Sequence, residues 1–319
     1  MHIFSNILGV FVFDEDFKVV DEILFKDLEE YRNKDKLIEG IKNKYKNINQ
    51  TGEKILENIL LYFKDKNFFN DFYDKNLQLT KLNVKNSVNN DALLIQAINS
   101  IDELDKAANM LVKRLREWYE LYNPEFSRHI QNHELFVEEI LEKEKNELLK
   151  KLNIKETDSI GADFKPEDIE PIKSMAHQIY GLYQLRKKQI NYISVLMDRL
   201  CPNVKAICDV LVGAKLIEHA NSLKRLSEMP SSTIQILGAE KALFRHLKTG
   251  AKPPRHGIIV NHPLIAKAPE KMHGKVARAL ADKISIASKV DYFQGHFIGD
   301  RLRKALEEKA AEYQCKLRD

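Results

Sequence analysis

The sequence has few cysteines, no long apolar run and no glycine-rich phosphate loop. Its three cysteines are an odd number. Cys201 and Cys208 stand seven apart and Cys315 is remote, which gives neither a disulfide framework nor a zinc-ligand spacing. A reducing, cytoplasmic location is therefore expected. The longest apolar stretch, residues 7–13, is far shorter than the ~20 residues of a membrane helix. No basic residue precedes it and Asp14, Glu15 and Asp16 follow at once, so it does not read as a signal peptide.

Enzyme signatures are missing too. Thr249-Gly250-Ala251-Lys252 lacks the upstream glycine and the hydroxyl residue after the lysine that a phosphate loop needs. Lys248-Thr249-Gly250 has no partner motifs. His129 and His133 sit four apart on a predicted helix, but beyond Glu134 no third metal ligand is evident. Glu138-Glu139 lies on a strongly charged helix with no pocket implied. No dinucleotide-binding glycine fingerprint occurs. No catalytic residue, metal ligand or resident cofactor is assigned.

What is present is a core-forming composition and a lopsided charge. Of 319 residues, 44% are hydrophobic and 31% charged, enough for two domains or slightly more. Residues 1–150 hold 22 Lys+Arg and 28 Asp+Glu, a net of −6, whereas residues 151–319 hold 29 and 19, a net of +10. Residues 241–289 hold 11 basic side chains against Glu270 and Asp282. Such a field attracts a polyanion, with a solvated basic face as the plainer alternative.

Periodicity organises the chain. Residues 7–13 and 17–23, joined by Asp14-Glu15-Asp16, predict a β-hairpin opening a small α/β domain over residues 1–90. Short helices, edge strands and Asn-rich joints such as residues 47–50 are expected before residue 90. Leu93, Leu94, Ala97, Ile98, Ile101, Leu104, Ala108, Leu111 and Leu115 then recur at helical spacing, in a stretch (91–124) expected to connect. A helix over 124–152 and another over 166–200 predict an antiparallel coiled-coil hairpin at 125–201. Its seam is Ile172, Ala176, Ile179, Tyr183, Arg186, Ile190, Ile193, Met197 and Leu200. Off-seam Tyr180, Leu182, Leu185 and Leu196 need another surface, either a flanking domain or a second copy of the hairpin. The fold class is thus mainly α with a small α/β amino-terminal domain, a long helical hairpin and a compact helical domain at 202–319.

The basic residues have a pattern. As a helix, residues 239–248 place Ala239, Ala242, Leu243 and Leu247 on one face and Lys241, Arg245 and Lys248 on another. A loop stiffened by Pro253-Pro254 adds Lys252, Arg255 and His256, and a second basic helix contributes Lys271, Lys275, Arg278 and Lys283. A cationic helix face beside a stiff loop suits an irregular RNA backbone.

At this stretch the chain resembles the Nop domain. The resemblance rests on Ser231-Ser232-Thr233-Ile234-Gln235-Ile236-Leu237 followed by residues 238–245. It continues through Gly257-Ile258-Ile259-Val260-Asn261-His262-Pro263 and Lys275-Val276-Ala277-Arg278-Ala279-Leu280-Ala281, with residues 113–119 and Pro124-Glu125 upstream. It covers about residues 95–315. It implies a non-catalytic scaffold of box C/D ribonucleoproteins, which direct 2′-O-methylation by guide RNA. In that family the first domain holds fibrillarin, the methyltransferase, whose cofactor is S-adenosylmethionine. The coiled coil pairs two copies, which the seam residues Ile172, Ile179, Tyr183, Ile190, Ile193 and Met197 would serve. The last domain grips a kink-turn RNA already carrying a small ribosomal-type protein, and no membrane is involved. By motif position Gln235, Lys241, Arg245, Lys248, Lys252, Arg255, His256, Lys275 and Arg278 are the expected RNA-facing residues. Eukaryotic members often end in a Lys- and Glu-rich tail, and a chain ending at Asp319 without one fits the archaeal form. A splicing-type relative and a stand-alone RNA-modifying enzyme are the alternatives.

Overall fold

The computed structural model describes residues 1–45, 49–50, 53–64 and 68–315. The chain forms two compact units, 1–89 and 90–319.

The first unit is a four-stranded sheet with helices. Strands β1 (His2–Ser5), β2 (Gly9–Phe13), β3 (Val19–Leu24) and β4 (Asn49–Gln50) lie in the order β3-β2-β1-β4. The predicted hairpin is the antiparallel β2–β3 pair, running from Gly9↔Leu24 to Phe13↔Val19 with an irregularity at Val12/Phe13. Residues 7 and 8 are not strand; they turn the chain from β1 into β2, and the Asn6 side chain accepts the Leu8 N–H at 2.8 Å. The short β4 runs parallel to β1; Asn47 and Ile48 of that joint lie outside the described residues. Every residue of β2 is buried because both faces are covered, which explains its unbroken apolar run. Val10 and Val12 pack with Ile3, Phe25 and Ile41 on one face. Phe11 and Phe13 pack with Leu8 and Ile59 on the other. The unit's helices are α1 (Leu28–Arg32), α2 (Lys34–Lys44), α3 (Glu53–Tyr62) and α4 (Phe69–Ser87).

The second unit is helical among its described residues. Its hairpin joins α5 (Asn90–Glu120) to the 35-residue α9 (Pro166–Leu200), which extends ~50 Å. The two run antiparallel. Leu94, Ile98 and Ile101 meet Ile193 and Met197 in one core, and Ala108, Val112, Leu115 and Tyr119 meet Ile172, Ala176 and Ile179 in another. Between these cores Arg186, the one polar seam residue, bonds Asp105 at 2.6 Å.

Two expectations are corrected. Residues 91–124 are the hairpin's first arm rather than a connection. The helix expected over 124–152 is three short ones: α6 (Pro124–His129), α7 (His133–Glu142) and α8 (Lys145–Lys151). Extended backbone at Ile130 and Lys143 ends α6 and α7, and Asn132 caps α7 by accepting the Leu135 N–H at 3.0 Å. The breaks let Phe126, Phe136, Ile140 and Leu148 wrap the distal ends of α5 and α9. The Arg116 guanidinium stacks over Phe136 at 4.1 Å. The α9 seam is therefore consumed inside the chain: Ile172, Ile179, Tyr183, Ile193 and Met197 are buried, and Ile190 packs on the core that holds Ile193 and Met197. Those six side chains hold α9 in its own hairpin and do not form a free pairing face.

Beyond the hairpin come α10 (Pro202–Cys208), α11 (Val210–Ala220), α12 (Leu223–Glu228), α13 (Ser231–Ile236), α14 (Glu240–Thr249), α15 (Pro263–Ala266), α16 (His273–Tyr292) and α17 (Gly299–Cys315). Helix α16 is the centre of this domain. Its buried Val276, Ala277, Leu280, Ala281, Ile284 and Ala287 share one core with α10–α13 and the near end of the hairpin. The small residues let neighbouring helices approach closely. Among the described residues no helix is long and apolar enough to cross a membrane.

Candidate nucleic-acid interface

Backbone geometry builds the basic site. Helix α13 is followed by Gly238 at φ +83° and then by α14. The returning loop is stitched to α13: Gly257 N donates to Gln235 O at 2.8 Å, and Ile258 N to Leu237 O at 2.9 Å. The Gln235 amide adds a third tie by donating to Arg255 O at 2.7 Å. Only glycine fits at 257, where a Cβ would sit 1.9 Å from Leu237 O.

This stitching sets Arg255 against the amino end of α16. There Gln235, Arg255, Lys271, Gly274, Lys275 and Arg278 line a cavity of about 420 Å³. The buried face of α16 turns Lys275 and Arg278 outward. No carboxylate lines the cavity, and among the described residues none lies within 4.0 Å of these four cations. The first turn of α16 has no acidic residue, so its positive dipole end adds to the field. Like charges gathered at a positive helix end repel one another, and an anion relieves that repulsion. His256, half-buried, faces His273 with ring centroids 5.9 Å apart. Burial, and then the neighbouring His273, hold its pKa below the usual imidazole value.

The other expected residues lie elsewhere. Lys241, Arg245 and Lys248 share an exposed face of α14, and Lys252 is exposed in the following loop; none lines the cavity. The apolar face expected on α14 is only partly covered: Ala239 and Leu243 are half-buried, Ala242 is exposed and Leu247 is 70% exposed, and Phe244, outside that face, is 65% exposed. Among the described residues none buries Phe244 or Leu247. Lys271, counted with the second basic helix but not among the RNA-facing residues expected by motif position, lies just before α16 and completes the cavity.

Other motif residues are structural. His262 is buried, its Nδ1 accepting the Leu264 N–H at 3.2 Å and its Nε2–H donating to Ile207 O at 2.9 Å. Both partners are satisfied only by the neutral ring, whose pKa burial also lowers. His129 and His133 do not share one helix, because α6 ends at His129; His133 Nδ1 takes a hydrogen bond from Arg116 Nε at 2.9 Å. Glu139 is buried and held by Lys143 and Lys151, each at 2.7 Å, and these bonds keep its carboxyl below the usual range. Among the described residues no group of three or more His, Cys, Asp or Glu could hold a metal.

The first unit offers a different surface. Phe4, Asn6, Leu8, Leu60, Phe63, Phe68, Phe69 and Phe72 line a cleft of about 500 Å³, with Lys64 the one charged residue. Its rim leaves Phe69 and Tyr73 largely exposed.

Fold and site together define a mainly helical chain with an uncompensated cationic surface and an apolar cleft in a separate unit. The chain belongs to the Nop family: the family model described as a snoRNA binding domain, fibrillarin, matches residues 100–312. A NOP5 family protein of Methanocaldococcus jannaschii is 38% identical over 288 residues, 83% of this chain and 69% of that protein. Nucleolar protein 56 of Schizosaccharomyces pombe is 39% identical over 253 residues, 72% of this chain and 51% of its own length. Nucleolar protein 58 of Aspergillus fumigatus is 38% identical over 215 residues, so the chain spans only 36% of that relative. A chain from a fibrillarin/Nop5p complex is similar with a TM-score of 0.46 and 22% identity, over 97% of this chain and 99% of that one.

Proposed function

We propose that this chain is the non-catalytic scaffold of a box C/D ribonucleoprotein, binding guide RNA and positioning fibrillarin for 2′-O-methylation. The observation that carries the reading is the cavity of Arg255, Lys271, Lys275 and Arg278, four cations without an acidic partner among the described residues, at the positive end of α16 within the matched family region. Its chemistry suits backbone phosphates of a folded RNA. The exposed face of α14, where Phe244 and Leu247 adjoin Lys241, Arg245 and Lys248, suits a combined RNA and protein surface such as a kink-turn with its bound ribosomal-type protein. Fibrillarin would dock on the apolar cleft of the first unit and bring S-adenosylmethionine with it. The chain's contribution is proximity and orientation. Two copies would pair through hairpin residues left outside the seam, among them Leu185, Tyr192 and Val195 of α9. The nucleolar names of the relatives favour this reading over a splicing role.

The test is reconstitution of the full chain with guide RNA, the kink-turn-binding protein, fibrillarin and a target RNA. Methyl transfer is expected only with fibrillarin present, with RNA binding that weakens steeply as salt rises. Salt-insensitive binding, or methyl transfer by this chain alone, would contradict it.

A further inference from the structure

Helix α16 carries an ordered stripe. Lys275, Arg278, Asp282, Ile286, Lys289 and Phe293 recur at three- and four-residue steps, lie on one side of the helix, and are all exposed. The stripe starts in the cationic cavity and ends ~27 Å away at the turn before α17. Asp282 is its only acid.

That turn is rigid and nevertheless presents bare aromatic rings. Asp291, nearly buried at the end of α16, accepts Asn203 N at 3.1 Å, Asn203 Nδ2 at 2.6 Å and Val204 N at 2.9 Å. Asn203 in turn accepts the Ile298 N–H at 2.7 Å, so one buried network clamps both ends of the turn to α10. Phe293 is 76% and Phe297 54% exposed. Tyr292 packs edge-on to Phe293 at 5.1 Å, and the Phe297 ring lies against Gly299, where a Cβ would come within 2.9 Å of it. Rings held this way lose little entropy when a flat partner stacks on them. Apart from these contacts, both rings stand largely in solvent among the described residues.

We infer that the α16 stripe is a track for single-stranded RNA: the cavity holds phosphates at one end, Lys289 holds one further along, and an unpaired base stacks on the Phe293 turn. The reading rests on the cavity being an RNA site. Charge complementarity chooses RNA over a protein partner, because a run of Lys275, Arg278 and Lys289 leading to aromatic rings is the combination that binds unpaired strands.

The test compares two guide RNAs, each already carrying its kink-turn-binding protein: one blunt beside the kink-turn, one with a ten-nucleotide single-stranded extension holding 2-aminopurine. The full wild-type chain is expected to bind the extended RNA more tightly and to quench the fluorophore. Phe293→Ala with Phe297→Ala should lose about tenfold of that gain and the quench, with blunt-RNA affinity and melting temperature unchanged. Phe293→Trp should retain both. Arg278→Ala should weaken both RNAs. Equal wild-type affinity for the two RNAs, or a gain that survives the double alanine variant, overturns the track. An Arg278→Ala variant that binds both RNAs like wild type overturns the underlying cavity reading instead. If the double alanine variant keeps its RNA gain but loses self-association, the rings serve a protein contact and the track is wrong.

Discussion

Helices α9 and α14 are both amphipathic, and they end in opposite conditions. Along α9, Ile172, Ala176, Ile179, Ile193 and Met197 are almost wholly buried against α5 and its neighbours. Along α14 nothing is buried, and Phe244 and Leu247 stand in solvent between cations. The first helix spends its apolar face on the fold and its role is mechanical. The second keeps an apolar face unspent, in the region where the family matches and charge is most lopsided. An exposed large apolar face is the informative case, because burial is the default for such residues.

The widest separation between the two helices should appear in stability. Ile179→Ala or Ile193→Ala is expected to cost about 2–5 kcal/mol by leaving a cavity in a full core. Leu247→Ala or Phe244→Ala should stay within about 0.5 kcal/mol. Urea unfolding followed by circular dichroism checks both, and similar midpoints for all four variants would break the contrast. Next in size is the buried clamp at the end of α16. Asp291→Ala strands three donors, Asn203 N, Asn203 Nδ2 and Val204 N, and should cost about 2–4 kcal/mol. Burial raises the Asp291 pKa despite those bonds. A folded-state value above the unfolded one means that keeping this carboxyl ionised opposes folding, so the part of the pH profile that Asp291→Asn removes should be a loss of stability as pH rises through the carboxylate range.

For RNA the order of the two helices reverses. Lys275→Ala with Arg278→Ala, or Lys241→Ala with Arg245→Ala, should weaken guide-RNA binding and lower the salt slope by roughly 0.7–0.9 per lost phosphate contact. Neither pair should change fibrillarin binding. Filter binding across a salt series reads the slope, and an unchanged slope for both pairs would remove α14 and the cavity from the interface. The smallest effect concerns His256. Its pKa lies below the usual value in the free protein because burial and His273 disfavour the cation. A phosphate nearby favours the cation, so guide RNA should raise that pKa, as NMR titration with and without RNA would register. A pKa unmoved by RNA would place the phosphate elsewhere.

Much of this molecule was legible residue by residue. The recurrence of Leu94, Ala97, Ile98, Ile101, Ala108 and Leu115 marks α5, and the four-three steps from Ile172 to Leu200 mark α9, because one buried face imposes helical spacing. Pairing was not legible. The arm that meets α9 is α5, since periodicity records that a face is covered without recording by what. The breaks after His129 and Glu142 were missed because their capping signals, such as Asn132, are ordinary polar residues within an otherwise helical pattern. At the site, Arg255, Lys275 and Arg278 were legible as cations, and their convergence with Lys271 was not.

By itself the sequence determined the division of charge between the two halves, the helical character of residues 90–315, and the glycines and prolines that turn the chain between residues 238 and 263. These are local properties, set by side-chain chemistry and backbone freedom within a few residues. Only the tertiary structure decided which cations share a cavity and which rings stay bare. Gln235, Arg255 and Arg278 are 20 and 23 residues apart, and they meet because two backbone hydrogen bonds from Gly257 and Ile258 fold the loop onto α13 while the core fixes the face that α16 shows to water.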